Sequence, residues 1–318
     1  MTNTLNAKAA HTLQQLLEPT KPTQAAPRKK RSLIVRSVLW TPGQTLGISF
    51  LDDPDPDFKQ HVYETARQWL DYANLQFELR EDDDFSAQIR ISSDGPPLLN
   101  HSIVGNSEGE YDYETMTLDP SPYYDWVIDE YPEDPEDPED PLLPLDAQSR
   151  EVARNLINRS VLHEFGHALG LHHEHLHPDA NIPWNVDALR DKLIEQRPQG
   201  NMDAALYANS IEEALQANYF RAPDADDRIV LRYDKKSIMH YAIDKADTLD
   251  GYEIAASYVL SQKDKQAIAM AYPGRVDPAT LQPLVNDLVA ECNADSCDAA
   301  RQTLLEPDHH GDGKVSVE

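Results

Sequence analysis

One run of thirteen residues, from His163 to His175, restricts this chain more than any other part of its sequence. It reads H-E-F-G-H-A-L-G-L-H-H-E-H and satisfies the pattern H-E-x-x-H-x-x-G-x-x-H. On a helix, His163 and His167 are one turn apart on the same face, so both imidazoles can bind one Zn²⁺. Gly170 can end that helix with a positive φ, after which the chain doubles back and brings His173 to the ion. Three imidazoles leave the fourth zinc position open for water, which indicates a catalytic rather than a structural zinc.

Several other side chains in this run, or directly after it, are candidates for a role in the site. Glu164 directly follows the first histidine, where a carboxylate can take a proton from the metal's water. His172 neighbours the third histidine and would point the other way along an extended segment. His175 and His177 are fallback ligands, and otherwise we expect them to be exposed loop residues. The predicted zinc ligands are therefore His163, His167 and His173.

A second motif lies far downstream and includes a methionine turn. Tyr233 to Tyr241 reads Y-D-K-K-S-I-M-H-Y, with Met239 in the turn. An extended zinc motif followed by such a turn resembles the metzincin clan of metalloproteases, and the two motifs together resemble its astacin family. The run from Leu260 to Tyr272, L-S-x-x-D-x-x-x-I-x-x-x-Y, is similar to the stretch that follows in astacins. The resemblance covers about residues 33–273.

The resemblance implies a fold and a set of site roles. It implies an α+β metzincin (zincin-like) fold, with a twisted, mostly parallel sheet, an antiparallel edge strand and helices in the upper lobe. The zinc cleft would separate that lobe from a mainly helical and irregular lower one. In astacins the tyrosine at the position of Tyr241 ligates zinc at rest, then swings away and hydrogen-bonds the oxyanion of the reaction. Met239 would lie beneath the ligands, and a freed N-terminus would approach Glu174. The plainer alternatives are a buried structural tyrosine and an ordinary core methionine.

The motifs predict a zinc-dependent metalloendopeptidase that hydrolyses protein or peptide substrates, with Glu164 and Tyr241 as catalytic residues. The alternative from another class is a pseudoprotease, a zinc-containing module that binds a partner through its groove without cleaving it. A protease exported as an effector or toxin would use the same chemistry. An intact Glu164, Tyr241 and open metal position favour the enzyme, because a scaffold needs none of them.

Charge and apolar content exclude several classes of partner. The net charge of −28 argues against nucleic acid, whose phosphates the chain would repel. No run approaches the ~20 apolar residues of a membrane span, and the first thirty residues contain no signal-peptide core. The only cysteines, Cys292 and Cys297, follow the catalytic region, so no disulfide can cross-link that region. We therefore expect a soluble protein, either cytoplasmic or exported by a route without a signal peptide.

The predicted organisation is a flexible basic leader (1–31), a catalytic domain (32–273) and a C-terminal appendage with an acidic tail (274–318). Arg28 to Arg31 is either a processing site that exposes Ser32 or a solvated basic run. The repeat of acidic residues and proline at 129–141 cannot bury apolar area, so we expect an extended surface loop inserted in the catalytic domain.

Apolar spacing and turn residues predict the individual elements. Strands are expected at 46–50, 75–79, 87–92, 101–105 and 114–118. The metzincin resemblance implies an antiparallel edge strand that holds the substrate backbone; the 101–105 run is the candidate for it, and an interior strand is the alternative. Helices are expected over about 56–73, 186–197, 203–218 and 262–271. Ser261 and Asp264 would form a capping box for the last of these, and Asp146 would cap the zinc helix. The buried side of the zinc helix is predicted to include Val152, Leu156, Val161, Leu162 and Phe165.

Overall fold

A computed structural model describes the catalytic region predicted from the sequence. The described residues are 34–95, 100–106, 113–127, 145–177, 179–196, 202–221, 228–229 and 231–277. The leader, the acidic insert, the cysteine pair and the appendage beyond residue 277 lie outside them.

A five-stranded sheet forms the centre of the upper lobe. The short strand β1 (Ile34–Val35) pairs outside this sheet with β7 (Arg228–Ile229). The five strands are β2 (Thr45–Phe50), β3 (Gln76–Leu79), β4 (Ile89–Ser92), β5 (His101–Ser102) and β6 (Met116–Thr117). Their order is β3-β2-β4-β6-β5, and every pair is parallel except β5 with β6. The predicted fold class, a mostly parallel sheet with an antiparallel edge strand in the 101–105 run, is confirmed.

Six α-helices accompany the sheet in the described part of the chain. They are α1 (Pro56–Ala66), α2 (Ser121–Val127), α3 (Ala147–Ala168), α4 (Val186–Gln196), α5 (Ala204–Leu215) and α6 (Gln262–Ala271). The prediction of one helix over 56–73 is wrong in its second half, because α1 tightens into a 3₁₀ segment at Arg67–Asp71. Likewise α5 ends earlier than predicted and continues as a π turn over Gln216–Phe220. Helix α2 was not predicted from the sequence. No described helix is long and apolar enough to cross a membrane.

The core lies between the sheet and helix α3, and it fixes where the metal-binding motif sits. Trp69 is fully buried there and donates its indole N–H to the carbonyl of Leu162, one residue before the motif (3.1 Å). Phe165, inside the motif, packs against Phe77 of β3 with ring centroids 5.6 Å apart. The motif helix is thus held rigidly against the sheet.

The buried face of α3 differs from the predicted one. Val152 and Leu156 are 52% and 40% exposed, whereas Ala153, Ile157 and Val161 are buried. Val161, Leu162 and Phe165 are buried as predicted, so only the N-terminal part of the buried stripe runs one residue later than predicted. The stripe through Val152 and Leu156 would continue to Ser160, which cannot add apolar area, so the helix turns the neighbouring stripe to the core.

The lower lobe has a small apolar cluster of its own. Helices α4 and α5 pack through four buried residues, Leu189, Leu193, Ile211 and Leu215. Helix α6 begins with the predicted capping box, in which Ser261 and Asp264 each bond the other's backbone N–H (3.0 and 2.8 Å).

Candidate active site

The end of helix α3 carries the chain back toward the metal-binding face. Asp146 caps the start of the helix by accepting from Ser149 N (2.7 Å), as predicted. At the other end Gly170 has φ +91°, a conformation that favours glycine. The amides of Gly170 and Leu171 bond to the carbonyls of His167 (2.8 Å) and Gly166 (2.9 Å), which are the two bonds of a Schellman motif. The predicted reversal after the second histidine is therefore present.

Three imidazoles converge beyond this reversal. His163, His167 and His173 each offer a ring nitrogen, and these atoms lie within 4.8 Å of one another, close enough to hold a metal ion. The His167 ring lies 4.9 Å from that of His163 and 4.5 Å from that of His173. Among the described residues the group includes His173 rather than His172, His175 or His177.

Backbone carbonyls determine which ring nitrogens face the shared centre. The Nδ1 atoms of His163 and His167 lie 2.8 Å from the carbonyl oxygens of Ile238 and Leu171. Because a carbonyl can only accept, each Nδ1 carries the hydrogen and each Nε2 keeps its lone pair. Burial lowers the pKa of His167 to about 4 and the pKa of His163 well below its ordinary value, so both rings are neutral at pH 7. Neutral imidazole is the form that binds metal.

The spacing of the nitrogens fits a cation. Nε2 of His167 lies 3.0 Å from Nε2 of His173. Two nitrogens bound tetrahedrally to one zinc at about 2.0–2.1 Å would lie about 3.3 Å apart. The observed separation is close to this value, so the donor set suits a metal ion.

Glu164 lies in the same buried region. It is 5% exposed, and its Oε2 atom has no hydrogen-bond partner in the described structure. Burial raises the pKa of Glu164 to about 8, and the Arg159 guanidinium opposes this rise. A buried carboxylate oxygen without a partner costs free energy, and such groups concentrate at functional sites.

The methionine turn is held beneath the histidines by hydrogen bonds and by close packing. The carboxylate of Asp264 accepts from Ser237 Oγ (2.6 Å) and Ile238 N (2.8 Å). Met239 is buried, and its sulfur lies so close to Gly166 that a Cβ on this residue would overlap it. A glycine inside the metal-binding helix is thus required for the turn to approach the helix.

Tyr241 follows the turn and stacks among the histidines. Its ring lies 4.4 Å from that of His173 and 4.2 Å from that of His175, the second nearly parallel. Tyr219, from the π turn after α5, meets it edge-on at 6.2 Å. Burial raises the pKa of Tyr241, which keeps the phenol protonated at neutral pH. The phenol is therefore a hydrogen-bond donor beside the metal-binding group.

The expectation that His175 and His177 are exposed is wrong. They are 3% and 6% exposed. Nε2 of His175 contacts the carbonyl of Asn218 (2.6 Å), and Nε2 of His177 contacts that of Leu231 (2.9 Å). Both rings are therefore used to join the loop after the motif to the lower lobe, a role that spacing along the sequence does not reveal.

Glu174, next to the third histidine, is completely buried. Its Oε1 atom accepts from Asp234 N (2.6 Å), and its Oε2 atom has no partner in the described structure. Burial raises the pKa of Glu174 well above its ordinary value. The residues that would carry a freed N-terminus to this carboxylate lie outside the described chain.

Arg159 is a site residue that motif reasoning missed. It is four residues before His163 on α3, so the two side chains share a face. Its Nη2 atom donates to the carbonyl of His240 (3.2 Å). Burial lowers the pKa of Arg159, while Glu164, Tyr258 and Tyr241 act in the opposite direction. A charged residue on the metal-facing side of the helix was the available signal.

Solved structures resemble this chain over most of its length. One structure of myroilysin is 28% identical with a TM-score of 0.55, covering 76% of this chain and 99% of myroilysin. A second myroilysin crystal structure is 26% identical, with a TM-score of 0.48 and coverage of 80% and 100%. High choriolytic enzyme 1, a hatching enzyme zinc-protease from the medaka fish Oryzias latipes, is 15% identical, with a TM-score of 0.41 and coverage of 77% and 98%. No protein-family model matches the sequence, and a search of curated proteins gives no match.

Myroilysin is an astacin-family metalloprotease. The first myroilysin structure shares the fold of this chain, and the chain itself contains the three-histidine group and the methionine turn. The chain is an astacin-like metalloprotease. The two histidines of the stretch His175-Leu176-His177 leave the metal-binding group intact, because each ring contacts a backbone carbonyl, that of Asn218 or Leu231.

Proposed function

We propose that this astacin-like metalloprotease is a zinc-dependent endopeptidase in which Glu164 is the general base. The observation that carries the proposal is the convergence of three neutral imidazoles beside a buried carboxylate with a free oxygen. We further propose residues 32–273 as the catalytic domain and proteins or peptides as substrates.

His163, His167 and His173 would hold the metal, and three imidazoles suit zinc. Three nitrogen donors with no thiolate suit a zinc site that keeps one position open. A zinc ion bound there supplies a Lewis acid and lowers the pKa of its water toward ~7. The Nδ1 bonds to Ile238 and Leu171 keep the first two rings oriented toward the ion.

Glu164 moves the protons of the reaction. Its carboxylate takes a proton from the attacking water and then gives that proton to the leaving amine. The positive charge of a bound metal favours the ionised carboxylate, which offsets the rise in pKa caused by burial. The low exposure of Glu164 also keeps competing water away from the transferred proton.

Tyr241 would stabilise the negative charge that develops on the scissile carbonyl oxygen. The phenol stays protonated because burial raises its pKa, so it can donate a hydrogen bond to that oxygen. One such donor contributes about 3–4 kcal/mol to lowering the barrier. The stacked contact with His175 gives the ring a defined resting place.

An extended peptide has an available edge to pair with. Strand β5 (His101–Ser102) ends the sheet on one side and bonds only to β6 within the described sheet. We propose that a substrate backbone adds to the free side of β5, so that affinity comes from main-chain bonds.

A catalytically silent, metal-containing binding module is the competing function. The two functions differ in what Glu164→Gln does. In the endopeptidase, this variant keeps the metal content of the wild type and loses cleavage of a denatured protein by ~10²–10⁴-fold or more. Cleavage by the wild type should also stop with a zinc chelator and return with added zinc.

The matched control is Glu151→Gln, which makes the same change on the exposed part of helix α3. It should leave both metal content and cleavage unchanged. A metal-loaded wild type that cleaves no denatured protein would support the binding module instead. Full activity of Glu164→Gln would refute the role of Glu164 alone.

A further inference from the structure

The methionine turn presents three successive carbonyls to the metal-binding region. The carbonyl of Ile238 bonds to the ring of His163 (2.8 Å), and that of Met239 accepts from the amide of Glu174 (3.0 Å). The third carbonyl, that of His240, accepts from the guanidinium of Arg159 (3.2 Å). The first two bonds support the histidines, whereas the third fixes the peptide directly before Tyr241.

One hydrogen bond does not offset the free-energy cost of burying the Arg159 guanidinium. Its guanidinium is largely shielded from water, and the Nε donor is buried without a partner in the described structure. Burying a cation with unmet donors costs stability, so packing alone does not explain its presence. The carboxylate of Glu164, which belongs to the proposed machinery, raises the pKa of this guanidinium and so opposes the effect of burial.

We infer that Arg159 is a positioning residue that holds the His240 carbonyl so that the Tyr241 phenol stays in place for the reaction. This inference rests on the role proposed above for Tyr241. The ring contacts of Tyr241 with His175 and Tyr219 are non-directional stacking contacts. The backbone beside the ring is held within the turn by two local bonds, from His240 N to the Ser237 carbonyl (3.1 Å) and from the His240 ring to the Tyr241 carbonyl (2.7 Å), whereas the Arg159 bond ties this peptide to helix α3. Because a displacement of ~1 Å can cost ~10²-fold in rate, a single backbone bond at this point matters.

The test is a double-mutant cycle between Arg159→Met and Tyr241→Phe, with peptide cleavage, zinc content and thermal unfolding measured for each protein. Arg159→Met should lower kcat about tenfold or more, with KM and zinc content little changed. Arg159→Lys keeps one donor and should lose less. Arg154→Met is the matched control on the same helix: Arg154 lies 5.4 Å over the ring of Trp126, in an exposed position, and its loss should change kcat by less than about twofold.

The cycle separates action through Tyr241 from a general structural effect. In the Tyr241→Phe background, Arg159→Met should reduce kcat by less than about twofold more. The inference would be overturned if Arg159→Met lowered kcat equally in the wild-type and Tyr241→Phe backgrounds. It would also be overturned if Arg159→Met left kcat of the wild type unchanged or changed only KM. If Arg159→Met does not fold, the same cycle with Arg159→Lys decides. A metal-loaded wild type without activity would overturn the proposed function as well, whereas an active wild type with additive variants overturns only this inference.

Discussion

Replacing Asp264 with alanine tests how the methionine turn is supported. The carboxylate is 4% exposed and accepts three hydrogen bonds, from Ser237 Oγ (2.6 Å), Ile238 N (2.8 Å) and Ser261 N (2.8 Å). Two of these donors belong to the turn and one to the start of α6. Alanine removes the acceptor from all three and leaves the donors buried.

The expected loss follows from these bonds. A hydrogen bond to a charged group contributes about 1.5–3 kcal/mol, and neighbouring bonds are not additive. We therefore expect Asp264→Ala to reduce the free energy of unfolding by about 3–5 kcal/mol. In a domain of this size, 1 kcal/mol shifts the Tm by about 2–4 °C, so the midpoint should fall by about 10 °C.

Asp146→Ala is the matched control, because Asp146 also caps a helix but is exposed and accepts one bond, from Ser149 N. Its loss should cost about 1 kcal/mol. Both variants are unfolded with urea and by heat at full zinc loading. Equal losses in the two variants, or a loss below about 1 kcal/mol in Asp264→Ala, would refute the view that the buried carboxylate supports the turn.

Three further predictions concern the site. His173→Ala should lower zinc content strongly and His172→Ala should not, as measured by metal analysis; the reverse would exchange their roles. Gly166→Ala gains about 1 kcal/mol of helix propensity but overlaps the sulfur of Met239, which costs about 1–3 kcal/mol or more, so urea unfolding should show a net loss and a gain would contradict this. The metal-free chain should be most stable near pH 6.5, because burial lowers the pKa of the site's histidines and raises that of Glu164 to about 8. Below pH 6.5 the unfolded chain binds more protons on these histidines than the folded chain does, so the free energy of unfolding falls. As pH rises through 8, the stability that comes from protonated Glu164 is lost. A stability maximum above pH 8 in urea unfolding would contradict this.

Signals that act within a few residues were predictable from the sequence. The capping box of Ser261 and Asp264 and the positive φ of Gly170 are set by the local backbone, and the structure has both. The i, i+4 spacing of His163 and His167 likewise defines one helix face. The strand at 101–105 was predicted because β-like runs are also local, although only two of its residues pair; its position at the edge was expected from the metzincin resemblance.

Choices between nearly equal local patterns were not predictable. The N-terminal half of α3 offers two apolar stripes, one through Val152 and Leu156 and one through Ala153 and Ile157, and only the contact with the core decides between them. His175 was expected to be exposed because loops usually are, but its partner is a carbonyl of the π turn, Asn218, which lies 43 residues away in sequence.

The motif identifies the groups that do chemistry, whereas distant residues set their geometry. Arg159 reaches the carbonyl of His240 across 81 positions, and the carboxylate of Glu174 receives the amide of Asp234 across 60. No short pattern encodes such pairs, because each partner has an ordinary local sequence. It follows that a chain could keep all three histidines and Glu164 and still lose activity through one distant substitution. The Arg159 cycle is therefore informative beyond this protein, since it asks whether a metal-binding motif alone is enough to infer catalysis.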